Sequence, residues 1–430
     1  MTLDRTLECL TAWLPRQRWF TAGAMPPRLR LLADRMLAQD DENARVRVLV
    51  VVDDAPTRPI VYQVPLVERT AAREVSAASV IGARDDGRVL IDGPHDPAYT
   101  RALLTELGLQ SDDVEAEVLS GEQSNTSIIY RSPSAPPVIC KVFRPLNPGL
   151  NPDIELQTAL ADAGSAHVPR VLGRVDGFWR SPTNATVTWE GSVAFAQEFL
   201  PDVEDAWRVA LRAASTSADF RAEAADLGRA TADVHRDLAR LFPTAPPDAA
   251  ARATLAGAWA RRLSIAIDEV RELRSIAPAI EAVYTAATAG PWPDLQRVHG
   301  DYHLGQVLSS PERGWVVLDF EGEPMRPIAE RRAPDLALRD IAGMLRSFDY
   351  VAGSLRLDGR GDPEVADAWA RAARAAFLTG YGDSSGAQPT GSLLDALELD
   401  KAVYETIYEA RHRPAWLRIP LSAVERLVAR

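Results

Sequence analysis

The chain has 430 residues, 46% of them apolar, which is enough for two or three structural units at roughly 150 residues each and excludes a disordered polymer. Its formal net charge of -12 disfavours non-specific attachment to nucleic acid or an anionic membrane, so a small anionic ligand has to be held by local groups. Two distant cysteines, Cys9 and Cys140, supply neither a disulfide framework nor a metal-ligand spacing, and they point to a reducing, cytoplasmic setting.

Residues 1–20 carry acids early and Trp13 and Trp19 later, the wrong order for a signal peptide, and are expected to be folded. No apolar run reaches the roughly 18 to 20 residues a membrane helix needs. β-branched runs at 45–52 and 60–67, parted by the turn-rich 53–59, predict a small mixed unit ending near residue 90. Strand patterns recur at 127–131, 137–143, 185–189 and 192–199, with a helix over 153–163, as in a sheet with one crossing helix. After Pro201, alanine, arginine and leucine periodicities predict helices over 222–241, 250–274, 363–379 and 392–411, with loops at 243–251 and 380–391. Among these helices lies a strand-like island, 297–321, in which 306–308 and 315–320 flank a turn at 309–314. Arginine almost replaces lysine, leaving only Lys141 and Lys401.

The island carries the strongest chemical pattern, His299-Gly300-Asp301-Tyr302-His303-Leu304-Gly305-Gln306, followed by Asp319-Phe320-Glu321. Phosphoryl transfer from ATP needs a carboxylate near the attacking hydroxyl, a neutral oxygen ligand five residues on for magnesium, and a second carboxylate on the next strand. Asp301, Gln306 and Asp319 have that spacing, with glutamine in place of the asparagine of protein kinases. A transition-metal site from His299, Asp301 and His303 is the competing reading, opposed by the helix-breaking Gly300 and Gly305; polar turn residues joining two strands are the plain one. His303 is read as orienting the loop.

Lys141 sits on the apolar run Val138-Ile139-Cys140-Lys141-Val142-Phe143 and is the candidate anchor for the ATP phosphates, with Glu155 its first candidate partner and Asp153 its second. Upstream, Ser124, Thr126 and Ser127 fall where a phosphate-covering loop belongs, although a simple β-turn explains them equally. Gln197 and Phe199 close the last strand before the helical half, the position of a hinge that meets adenine or of an ordinary connector.

Together with Arg16-Gln17-Arg18-Trp19-Phe20, residues 151–156, 298–308, 319–324, 330–335 and 339–348, and the segment 400–421, these residues resemble the actinobacterial maltokinase-like family within the aminoglycoside phosphotransferase-like kinases. The resemblance covers nearly the whole chain. It implies an α+β, bilobal protein-kinase-like fold with an N-terminal cap (1–90), an intermediate ATP-binding subdomain (91–200) and a helical C-lobe (201–430). It also implies Asp301 as catalytic base, Gln306 and Asp319 as magnesium ligands with Glu321 assisting, Lys141 on the phosphates, and ATP and Mg2+ as cofactors.

A sugar site calls for carboxylates and an aromatic face. The segment 404–416 offers Tyr404, Glu405, Tyr408, Glu409 and Trp416, with Glu405 and Glu409 four apart on one helix face and Arg413 or His412 able to stand between them. With Asp301 and His303 these form the expected sugar-binding set, the alternative being an exposed acidic helix face and a core tryptophan. Tyr302 stands where maltokinases commonly have leucine, and 200–207 diverges. Both speak against strict maltose specificity, and an ammonium group on the sugar would suit a pocket lined by Asp301, Glu405 and Glu409, so the expectation is glucosamine giving glucosamine 6-phosphate, with maltose 1-phosphate, an aminoglycoside phosphotransferase and a catalytically silent sensor as alternatives.

Overall fold

The computed structural model describes residues 2–20, 26–38, 41–70, 76–109, 113–119, 125–323 and 326–429. The chain divides into two compact units, one made of Met1–Glu155 and Arg170–Leu200, the other of Leu156–Pro169 and Pro201–Arg430.

In the first unit, helix α1 (Thr2–Trp13) precedes an antiparallel sheet of β1 (Leu29–Met36), β2 (Ala44–Asp53), β3 (Ile60–Arg69), β4 (Val80–Ala83) and β5 (Val89–Asp92), in the order β1-β2-β3-β5-β4. After helix α2 (Pro97–Glu106) comes a second sheet from β6 (Glu115–Val118), β7 (Asn125–Ser132) and β8 (Ala135–Phe143), completed by β10 (Val171–Arg180) and β11 (Thr188–Glu198). The short β9 (Pro145–Leu146) returns to pair with β3, and helix α3 (Pro152–Asp162) follows it.

Strand β2 is buried on both faces, which explains its near-continuous run of valines. Val46, Val48, Val50 and Val52 pack with Ile128, Cys140 and Phe195 of the second sheet. Leu49 and Val51, pointing the other way, pack with Trp13, Trp19 and Tyr62.

The separate strands expected at 185–189 and 192–199 are one strand, β11. Its pairing with β10 slips between Val175 and Asp176, a bulge that breaks the alternation on which the sequence reading depends. Strand β10 was not expected because Gly173 and Gly177 dilute its β signal.

The second unit is helical: α4 (Ala206–Ser215), α5 (Arg221–Leu241), α6 (Ala249–Glu269), α7 (Ala277–Ala289), α8 (Ile328–Arg332), α9 (Leu338–Leu357), α10 (Pro363–Ser385), α11 (Ser392–His412) and α12 (Arg418–Val428). A small sheet of β12 (Glu204–Asp205), β13 (Val307–Ser310) and β14 (Gly314–Val317) is set among them, as the 297–321 island requires. The loop expected from residue 380 is instead the end of α10. Gly380 and Gly228 let α10 and α5 approach backbone to backbone, since a Cβ on Gly380 would lie 1.9 Å from the Ala225 oxygen and one on Gly228 2.1 Å from that of Phe377.

Helix α9 escaped the periodicity reading because it is buried almost all round, from Asp340 to Asp349 without a break, so it lacks the polar face that marks a surface helix. Among the described residues no helix is long and apolar enough to cross a membrane.

Candidate active site

The loop before β13 is held from beneath by α9. Asp340, 1% exposed, accepts the backbone N–H of His299 (2.8 Å) and of Gly300 (2.9 Å) together with His235 Nε2–H (3.0 Å). Burial pushes its carboxyl up, but His235 and the donors of the loop outweigh this and hold it below the usual carboxylate range. His235 Nδ1 in turn meets the Tyr381 hydroxyl at 3.1 Å.

His299 accepts the Asp301 N–H at Nδ1 (3.3 Å) and donates Nε2–H to the Leu318 carbonyl (2.8 Å), tying the loop to the end of β14. Leu304 N–H donates to Ser347 Oγ (3.1 Å), and a Cβ on Gly343 would lie 2.5 Å from the Tyr302 oxygen, so α9 supports the loop along its length. The carboxylate of Asp301 is thereby presented on a rigid turn.

Gln306 Nε2 donates to Asp319 Oδ2 at 3.1 Å, so the island brings these two residues together. Asp319 has a φ of 65°, a left-handed conformation that costs a non-glycine residue and is tolerated where geometry serves a site. Arg331 donates to the Glu321 carbonyl at 3.2 Å. His303 accepts the Gly305 N–H at Nδ1 (3.0 Å), and burial lowers its pKa.

Three acids and three bases alternate beside Asp301. Lys401 on α11 donates to Glu323 Oε1 at 2.6 Å, stands 3.6 Å from Asp301 Oδ1, and lies 5.4 Å from the centre of the Tyr404 ring. Arg262 of α6 pairs with Asp400, and Arg339 donates to Asp335 at 2.8 Å. Burial raises the Glu323 carboxyl, but Lys401 and Arg339 overcome it and hold the group at about 2. Asp400 is pushed up by burial despite Arg262 and Arg339. The cleft is lined by Asp301, Glu323, Asp400, Lys401 and Tyr404.

Sequence reasoning assigned Lys401, Glu323 and Asp340 no role. Lys401 had a visible signal, as one of two lysines in an arginine-rich chain. Asp340 had a fainter one, an acid inside a run that is otherwise core.

In the first unit Lys141 Nζ donates to Asp153 Oδ2 at 2.8 Å, the carboxylate ranked second to Glu155. Asp153 opens α3, where N-terminal helix geometry buries its side chain completely. Ser127 and Phe195 are directly opposite Lys141 on the flanking strands β7 and β11. The Thr126 hydroxyl accepts Arg144 Nε–H at 2.8 Å, and that guanidinium is bound in the core to Asp92. Ser124 lies outside the described residues. Gln197 pairs with Ile139, and Phe199 N–H donates to the Pro137 carbonyl, with the Arg131 guanidinium over the Phe199 ring.

The acids of the 404–416 segment are occupied within the protein. Glu405 accepts from Arg346 (2.7 Å), while Glu409 accepts from the Tyr350 hydroxyl (2.9 Å) and from Arg413 (2.6 Å). Trp416 stacks on Tyr350 and Arg413, and Tyr408 is exposed beside His412. Only Tyr404 of this group lines the Asp301 cleft. Tyr302, which spoke against strict maltose specificity, points inward, its hydroxyl bonded to Thr231 Oγ1 at 2.9 Å.

Residues 13–96 match the maltokinase N-terminal cap domain, and residues 115–373 match the phosphotransferase enzyme family. A glucosamine kinase of Streptacidiphilus jiangxiensis is 29% identical over 375 residues, 82% of this chain and 79% of that one. A glucosamine kinase of Mycolicibacterium smegmatis is 30% identical over 325 residues, 71% of this chain and 78% of that one. Among solved structures, a glucosamine kinase in complex with glucosamine, ADP and inorganic phosphate is 25% identical with a TM-score of 0.66, covering 98% of both chains. The resemblance read from the motifs is thus borne out: the chain belongs to the phosphotransferase enzyme family and carries a maltokinase-type N-terminal cap.

Proposed function

We propose that the protein is an ATP-dependent sugar kinase that phosphorylates glucosamine at its 6-hydroxyl. The observation that carries the reading is the Asp301 loop: a carboxylate fixed by Asp340, with Gln306 five residues on and bonded to Asp319. In this mechanism Asp301 accepts a hydrogen bond from the sugar hydroxyl and turns its oxygen towards the γ-phosphorus; positioning supplies most of the rate because the transition state is loose. Lys401 and Glu323, one donor and one acceptor flanking Asp301, suit a ligand rich in hydroxyl groups. They carry the sugar-binding role in place of Glu405 and Glu409, whose charges are spent on arginines.

Lys141, steadied by Asp153, is assigned to the ATP phosphates. Asp319 and Gln306 fit magnesium by their donor chemistry, since both offer hard oxygens once the Gln306 amide turns about its last torsion to present Oε1 instead of Nε2. A magnesium ion held there would neutralise charge on the phosphate oxygens. Glucosamine as the acceptor is supported by the relatives of that name and by the solved complex with glucosamine and ADP. An ATP-consuming reaction agrees with the cytoplasmic setting expected from the cysteine usage.

The test is ADP release by the purified protein with magnesium and ATP across glucosamine, glucose, maltose and an aminoglycoside, with the phosphorylated carbon assigned by NMR. Turnover on glucosamine at the 6-hydroxyl is expected. Turnover confined to maltose at the anomeric carbon would overturn the substrate, and no ADP release with any acceptor would overturn the kinase.

A further inference from the structure

The later half of α9, with α10 and α12, encloses a cavity of about 320 Å³ for which phosphotransfer to a sugar has no use. Arg356, Arg371, Arg374 and Arg426 line it against only two carboxylates, Asp349 and Asp367, a local reversal of sign in a chain of net charge -12. The pairing is lopsided. Asp349 receives Arg346 (2.5 Å), Arg374 (3.3 Å) and Arg426 (2.6 Å), although Arg346 is shared with Glu405 (2.7 Å) and Arg426 with Glu398 (3.6 Å).

Glu398 takes part of the surplus from Arg374 (2.8 Å), and Asp367 pairs with Arg356 (2.5 Å). Arg371 has no ion-pair partner among the described residues and projects from α10 at the rim. Burial alone would raise the Asp349 carboxyl, yet Arg374, Arg346 and Arg426 keep it below its ordinary range, as an excess of positive charge should.

Guanidinium groups present paired N–H donors in the fork geometry that fits phosphate oxygens, and a half-enclosed cavity strengthens each such contact. Arg374, 8% exposed, supplies the buried end, Arg371 and Arg426 the open one, while Ile419 and Ser422 offer an apolar wall and a hydroxyl for the body of a ligand. We propose that this cavity is a second ligand site, separate from the Asp301 cleft, for a small anion that carries a phosphate group. The site is tied to the catalytic loop by α9 itself, which bears Asp340 under that loop and Asp349 and Arg356 in the cavity.

Calorimetric titration of the full chain with inorganic phosphate and, separately, with glucose 6-phosphate tests this. Arg371→Ala, a change at an exposed and partnerless side chain, is expected to weaken binding of the probe about tenfold while leaving Tm unchanged. Arg426→Ala is the second variant, and Asp319→Asn, placed in the phosphotransfer site, is expected to leave this binding event as it was. Tighter binding of the hexose phosphate than of inorganic phosphate would identify a phosphate ester as the ligand, whereas equal binding would show that the site reads the phosphate group alone. Wild-type affinity for both probes in both arginine variants would overturn the proposal, as would the absence of any binding event that survives Asp319→Asn.

Discussion

The two lysines of this arginine-rich chain sit in opposite electrostatic situations. Lys141 on β8 meets the fully buried Asp153 at 2.8 Å, whereas Lys401 on α11 stands between two acids, Glu323 at 2.6 Å and Asp301 at 3.6 Å. A short ion pair to a buried carboxylate fixes the position of an ammonium group; a shared one leaves donors and acceptors to spare for a ligand. The comparison explains why lysine survives at both places, since a flexible point charge can serve where the rigid fork of arginine would saturate its partner.

The largest effect expected on either side is at Asp301, whose change to Asn should lower kcat by about 100-fold to 10,000-fold while calorimetry still detects sugar binding. Unchanged turnover would remove Asp301 from the reaction and with it the reason for comparing its neighbour. Next comes Lys141→Met, which removes the ammonium group 2.8 Å from the buried Asp153 carboxylate. A loss of about 3 to 5 kcal/mol in unfolding free energy and a raised KM for ATP are expected, the first read by urea unfolding and the second by steady-state kinetics. If only stability changes, Lys141 is structural and the two lysines differ in kind.

Lys401 is probed by pH. The Glu323 carboxyl lies at about 2, below the ordinary range of a glutamate, so it contributes stability above the unfolded value that is lost as pH falls towards 2. Lys401→Met raises the folded value, so its Tm should lie below wild type at neutral pH and converge with it only as pH falls to about 2. A constant difference down to the lowest pH would show that Glu323 depends on Arg339 instead. The smallest effect on activity belongs to Glu409→Gln, which weakens bonds to Arg413 and the Tyr350 hydroxyl. Tm should fall while KM for the sugar stays within about twofold, and a large rise in KM would return this residue to the sugar site.

These contrasts also mark how far the sequence could be read. The spacing of Asp301, Gln306 and Asp319 was legible because a hairpin is local: β13 and β14 lie within the predicted island, with Gln306 just before the first and Asp319 two residues past the end of the second, which stops at Val317 and not at 320. Lys141 was legible as a lone charge in an apolar strand, but its partner was not, because Asp153 and Glu155 both fall in the first turn of α3 and only the direction of each side chain separates them. Glu405 and Glu409 illustrate the opposite failure. Their four-residue spacing is real and Arg413, which the sequence offered, does meet Glu409, yet Glu405 faces Arg346, some sixty residues away and on a helix whose burial erased its own periodicity. The clamp by Asp340 is likewise a long-range fact, formed by an acid about forty residues from the amides it holds.

Strand β2 has a consequence for how this protein can vary in length. Because its even-numbered valines fill one core and Leu49 and Val51 another, inserting or deleting a single residue within it would exchange both sets and misfill two cores in one step. Viable insertions are therefore expected to collect in the 53–59 turn, and a scanning library of one-residue insertions across 44–69 should show a gap in recovered clones over β2 that ends abruptly at Asp53.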